Sequence, residues 1–122
     1  MKTERIFCDG AGQNVEGKGS GFAWFRESDG HKNREQVDGL TNNQAEYRAV
    51  LSALESFKPG ASVQIVTDSE LIVNQLRGKY KVHDPDLAAL REKILRYVQK
   101  RRLSVTYSWV PRAQNKAGRL LE

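Results

Sequence analysis

The sequence predicts an α/β fold on a five-stranded mixed sheet, three antiparallel strands plus two parallel ones, flanked by helices. Three observations predict it. Strand-like segments separated by glycine-containing turns come first, at residues 4–9, 22–25 and 32–37. Helical and strand-like periodicities then alternate from Thr41 to Trp109. Finally, a strand–helix–strand step requires a right-handed crossover and parallel pairing, which joins the later strands to the first three in one sheet.

The elements follow in order. Ile6-Phe7-Cys8 is the apolar part of the first strand, and Gly10-Ala11-Gly12 breaks it. Gly17, Gly19 and Gly21 surround a turn before Phe22-Ala23-Trp24-Phe25. Ser28-Asp29-Gly30 is a hairpin signal leading to the third strand. Thr41-Asn42-Asn43-Gln44 has capping-box spacing, and Tyr47, Val50, Leu51, Leu54 and Phe57 then line one helical face up to Pro59-Gly60. Val63-Gln64-Ile65-Val66-Thr67 is a strand apolar enough for a sheet covered on both faces. Ser69 opens a helix that ends near Gly78. Asp84-Pro85 starts a third helix carrying Leu87, Leu90, Ile94, Leu95 and Val98. Leu103 to Trp109 alternates as a fifth strand, and a short helix is expected over residues 113–121.

At 122 residues, with no repeat or linker, residues 1–122 are expected to form a single domain and a monomer. The 39% hydrophobic and 29% charged content argues against a disordered chain, and no apolar run reaches membrane-spanning length. No secretory pattern precedes the first strand, so a cytoplasmic location without a membrane partner is expected. The lone Cys8 lies in an apolar run and reads as a buried small hydrophobe, since neither His31 nor His83 has a reason to lie beside it. Residues 91–122 hold nine Lys/Arg against two Glu, a local charge of +7, whereas the first 90 residues carry −2. That asymmetry suits a polyanionic partner, although a solvated basic helix face would look the same.

Asp9 and Asp68 each stand at the C-terminal end of an apolar strand, where open α/β sheets build their sites. Glu46 lies in the first turns of the first helix. Each alone is a weak signal, and Asp68 before Ser69 also reads as a helix cap. If the two strands are neighbours the carboxylates converge. Clustered carboxylates cannot all stay ionised without a cation, and an all-oxygen set suits Mg²⁺ or Mn²⁺ rather than Zn²⁺.

Phe7-Cys8-Asp9-Gly10-Ala11, Thr41-Asn42-Asn43-Gln44-Ala45-Glu46, Val66-Thr67-Asp68-Ser69 and Trp109-Val110-Pro111-Arg112 followed by Asn115 together resemble the type 1 ribonuclease H family, in motif order and over nearly the whole chain. The resemblance implies a ribonuclease H-like fold. It also implies endonucleolytic hydrolysis of the RNA strand of an RNA–DNA hybrid by two metal ions, leaving 5′-phosphate and 3′-hydroxyl ends. Asp9, Glu46 and Asp68 would be catalytic metal ligands. Asn42, Asn43 and Gln44 would meet the minor groove and the RNA 2′-hydroxyls, Thr41 a DNA phosphate, and Gly10 and Gly12 would let backbone approach the RNA.

The chain departs from the family pattern in its last third. The fourth carboxylate is expected four residues after Asn115, which is Arg119, or Gly118 if one residue is deleted. Asn115 is the nearest oxygen donor and is taken as a neutral catalytic ligand, with Glu122 the other candidate. A neutral ligand implies a weak second metal site, a preference for Mn²⁺, and a gain in Mg²⁺ use on replacing Asn115 with Asp. The loop Val110-Pro111-Arg112-Ala113-Gln114 lacks the His that many relatives carry there. These departures leave a rival expectation, a module of the same fold that grips hybrid but cuts it poorly.

Overall fold

The structure, a computed structural model, describes residues 2–13 and 19–121. Gly17 and Glu122 lie outside the described residues. The elements run β1 (Glu4–Ala11), β2 (Gly21–Arg26), β3 (Lys32–Gln36), α1 (Asn42–Glu55), β4 (Ser62–Thr67), α2 (Glu70–Leu76), α3 (Pro85–Lys100) and β5 (Ser104–Trp109). The strands make one sheet in the order β3-β2-β1-β4-β5. β2 lies antiparallel to both β1 and β3, while β4 lies parallel to both β1 and β5. This is the mixed sheet that the order of periodicities predicts.

The two central strands are apolar because both their faces are covered. Ile6 and Cys8 of β1 and Val63 and Ile65 of β4 pack into the main core with Tyr47, Val50 and Leu54 of α1, Ile72 of α2 and Ile94 of α3. Burying each large aliphatic side chain stabilises the fold by about 1.5–3 kcal/mol. Phe7 and Val66 point to the other face and pack with Ala117, Phe25 and Val110. Tyr47 is fully buried, and its hydroxyl donates to Gln75 Oε1 at 2.6 Å, which satisfies both polar groups inside the core. Trp24 is buried with its indole N–H on Ser52 Oγ at 3.0 Å.

Helix starts follow the cap chemistry of the sequence. Thr41 Oγ1 accepts from Gln44 N while Gln44 Oε1 accepts from Thr41 N, a reciprocal capping box that fixes where α1 begins. Asp84 accepts from Asp86 N and Leu87 N, with Pro85 in the first turn of α3. Among the described residues no helix is long and apolar enough to cross a membrane.

Two local expectations need correction. Gly10-Ala11 does not end β1: Asp9, Gly10 and Ala11 continue the ladder opposite Ala23, Phe22 and Gly21. Pairing with β2 outweighs the weak strand preference of glycine. The tail is not one helix but two 3-10 turns, Arg112–Gln114 and Gly118–Leu121, separated by residues 115–117, of which Asn115 is extended. The buried Asn115 amide is tied to the sheet and cannot follow a helical path.

Candidate active site

Three elements bring three carboxylates to one end of the sheet. Asp9 projects from the last part of β1 and is 2% exposed. Asp68 is the first residue after β4, and the parallel pairing of β1 with β4 sets both acids at the same edge. Ser69, not Asp68, caps α2 by accepting from Ile72 N, so the Asp68 carboxylate is left for other work. Glu46 sits in the second turn of α1. One ligand oxygen from each of the three lies within 4.8 Å of the others.

Glycines set the distance between α1 and β1. A Cβ on Gly10 would stand 2.3 Å from Ala45 C and 2.4 Å from Glu46 N, and one on Gly12 would stand 2.4 Å from Asn42 N. The Gly12 N–H also donates to Asn42 Oδ1 at 2.7 Å. The backbone of α1 therefore rests directly on the end of β1, and that contact delivers Glu46 to Asp9.

The electrostatics follow from crowding and burial. Burial is the largest influence raising the Asp9 carboxyl; the Arg112 hydrogen bond opposes it and the Asp68 charge adds to it. Glu46 is pushed up to about 8, first by burial and then by the charges of Asp9 and Asp68. With no cation present, the cluster therefore keeps a proton at neutral pH. The donor set fits a hard divalent cation: it is anionic, all oxygen and preformed, as Mg²⁺ and Mn²⁺ require. Burial also holds the Cys8 thiol well above its ordinary value, which disfavours its thiolate form.

Each acid has a neighbour that orients it. Thr67 Oγ1 donates to Glu46 Oε2 at 3.4 Å, a long bond. The exposed Trp109 donates its indole N–H to the Asp68 carbonyl at 3.0 Å. Asn115 Nδ2 donates to Asp68 Oδ1 and to the Cys8 carbonyl, both at 2.9 Å, while its Oδ1 accepts from Ala117 N at 3.1 Å. Arg112 closes the cluster, with Nη1 2.7 Å from Asp9 Oδ2 and 3.4 Å from Asp68 Oδ2.

The RNase H family model matches residues 1–115 of this chain. The chain belongs to the RNase H family. The bifunctional protein Rv2228c of Mycobacterium tuberculosis is 37% identical over 91 residues, which cover 69% of this chain and 23% of that protein. Ribonuclease H of Anaeromyxobacter dehalogenans is 35% identical over 82 residues, covering 60% of this chain and 45% of that protein. The chain thus spans less than half the length of these two relatives. The solved structure of LC11-RNase H1 in complex with an RNA/DNA hybrid superposes with a TM-score of 0.80 at 28% identity, over 96% of this chain and 92% of that one.

Several family-derived residues have internal partners. Thr41 and Gln44 form the capping box, and Asn42 holds the Gly12 N–H. Gly10 and Gly12 are needed for the α1–β1 contact whether or not RNA also approaches them. Asn43 is half-buried beside them. Asn115 departs from expectation: its nitrogen, not its oxygen, faces Asp68. The surrounding groups dictate this orientation, because the Cys8 carbonyl needs a donor and the Ala117 N–H needs an acceptor. In this arrangement the Asn115 nitrogen bonds Asp68 and its oxygen is taken by the Ala117 N–H. Of the two positions where the family pattern puts the fourth carboxylate, Gly118 is buried against Arg112, whereas Arg119 is exposed and lines a 570 Å³ cavity with Arg5, Phe7 and Phe25. Sequence reasoning missed Arg112, Trp109 and Thr67 as neighbours of the acids. The available signal was their position: Thr67 and Trp109 end β4 and β5, and Arg112 follows β5 by three residues, on the edge that carries Asp68.

Proposed function

We propose that this domain is a metal-dependent endonuclease that hydrolyses the RNA strand of RNA–DNA hybrids. The carrying observation is the convergence of Asp9, Glu46 and Asp68 within 4.8 Å on the motifs that match the RNase H family. The hybrid bound by LC11-RNase H1 supports the substrate class. When bound, divalent cations held by Asp9, Glu46 and Asp68 would supply an activated water and stabilise the leaving oxygen. The water oxygen forms a new bond to phosphorus, the P–O3′ bond breaks, and the 3′ oxygen gains a proton. The products are a 5′-phosphate and a 3′-hydroxyl.

The chain's own residues prepare that chemistry. Asp9 is held near the end of the central strand β1, buried and bonded by Arg112. Thr67 turns Glu46, while Trp109 and Asn115 hold Asp68 by its carbonyl and its carboxylate. Thr41, Asn42, Asn43 and Gln44 form the rim on which minor-groove edges and 2′-hydroxyls would rest, the group that separates RNA from DNA. The basic last third, with Arg91, Lys93, Arg96 and Lys100 on α3, would attract the phosphate backbone.

Labelled hybrid incubated with Mg²⁺ or Mn²⁺ tests this reading against Asp68→Asn. Cleavage by the wild type alone is expected. Equal background in both sinks the nuclease reading. A second reading, hybrid binding with little cleavage, is favoured by the Arg112 guanidinium within the acid cluster and by the absence of a fourth carboxylate there among the described residues. Retained hybrid binding without cleavage at any metal concentration would select it.

A further inference from the structure

We infer that Arg112, folded back over the acidic cluster and seated against Gly118, is a tethered counter-ion that occupies the fourth corner of the site and sets how tightly a divalent cation binds. This rests on the metal reading above and concerns a feature that reading does not use.

The geometry has two halves. On one side, Arg112 Nη1 reaches Asp9 Oδ2 at 2.7 Å and Asp68 Oδ2 at 3.4 Å. The Arg112 side chain is 57% exposed, but Asp9 is only 2% exposed, so the short contact is shielded at its acidic end. A guanidinium cannot deprotonate to leave, so it remains a full positive charge bonded to oxygens that a metal would need. Asn115 occupies the other oxygen of Asp68. On the other side stands Gly118. A Cβ there would lie 3.3 Å from Arg112 Cζ, 3.4 Å from Nη2 and 3.5 Å from Nη1. Gly118 is not among the glycines with positive φ, so its backbone does not require glycine. A methyl there would touch the guanidinium with little clash, so what glycine leaves out is any larger or charged group beside Arg112.

Position 118 is also one of the two places where the family pattern calls for an acid. With glycine at position 118 no acid stands there, and the charge beside that position is the Arg112 guanidinium. An acid that would recruit metal is absent, and the space serves a cation that competes with metal. Two cations sharing the same carboxylate oxygens repel each other, so cation binding must displace Arg112 or tolerate it at a cost in affinity. The same contact offsets part of the cluster's charge when no cation is bound, so Arg112 stabilises the metal-free protein and opposes loading.

The test measures Mn²⁺ binding directly, by calorimetry and by the paramagnetic signal of free Mn²⁺, with no nucleic acid present. Wild type, Arg112→Gln, Gly118→Asp and Asp9→Asn are compared, each checked for folding by circular dichroism. Arg112→Gln is expected to bind Mn²⁺ about tenfold tighter, as expected for loss of a competing charge-assisted contact. It should also melt lower than wild type without metal and gain more on Mn²⁺ addition. Gly118→Asp draws the guanidinium away from Asp9 and adds an acid, so it too should bind tighter; it keeps the test decisive if Arg112→Gln does not fold. Equal or weaker Mn²⁺ binding by the folded variants, with Asp9→Asn weaker than wild type, overturns the role of Arg112 alone. Wild-type binding that is absent, or unchanged in Asp9→Asn, overturns the metal reading and this inference with it.

Discussion

Replacing Gly10 with Ala adds one methyl at the point where α1 rests on β1. That carbon would lie 2.3 Å from Ala45 C, where ordinary contact begins at about 3.4 Å. The neighbours are backbone atoms, so no side chain can swing aside, and the helix must retreat by roughly 1 Å. Overpacking of this kind costs about 1–3 kcal/mol. For a domain of this size that is a fall in Tm of about 4–12 °C. The retreat carries Glu46 away from Asp9 and Asp68, and a misplacement of about 1 Å can cost on the order of 100-fold in rate. Thermal unfolding followed by circular dichroism, with hybrid cleavage measured beside it, reads both effects. A Gly10→Ala protein with wild-type Tm would refute the reasoning, whatever its activity. Loss of cleavage at unchanged Tm would assign the glycine to RNA contact instead.

Three further outcomes are expected. Asn115→Asp should weaken the protein and fail to improve Mg²⁺ use, because the new carboxylate would face the Cys8 carbonyl and Asp68 where a donor now stands; Tm and Mn²⁺ titration check this. Metal-free stability should fall as pH rises from about 4.5 to about 8 and then level off. The folded Glu46 carboxyl is raised above its unfolded value, so the native state binds the extra proton in that window, and Glu46→Gln should flatten the slope in urea titrations at several pH values. Hybrid affinity should fall steeply with added salt, and neutralising Lys93 and Arg96 together should reduce the slope of log K against log salt by about 1–2 if both meet phosphates.

How much of this was legible beforehand depended on whether the deciding interaction was local. Thr41 with Gln44, and Asp84 with Pro85, declare helix starts through atoms two or three residues apart, and both caps form as expected. The order of strands and helices followed from periodicity, and the parallel pairing followed from crossover handedness. Asp9, Glu46 and Asp68 were visible because each stands near the end or the start of a regular element. The continuation of β1 through Gly10 was not visible, since its cause is pairing with β2 and contact with α1, both remote in sequence. The tail was misread for a similar reason: Asn115 bonds the Cys8 carbonyl over 107 positions, and no periodicity records that. The place of Arg112 in the cluster was not visible, because its partners, Asp9 and Asp68, are remote in sequence.

The position of Cys8 has a practical consequence. Its thiol is sealed in the sheet centre, next in sequence to Asp9 and with its carbonyl held by Asn115. An alkylating reagent can reach the sulfur only when β1 separates from its neighbours or the whole domain opens. The rate of modification under native conditions is therefore a clock for exposure of the floor beneath the carboxylates, read with a single natural label. Cations that grip the cluster should slow that clock, and they would do so in a protein that has turned over no substrate at all.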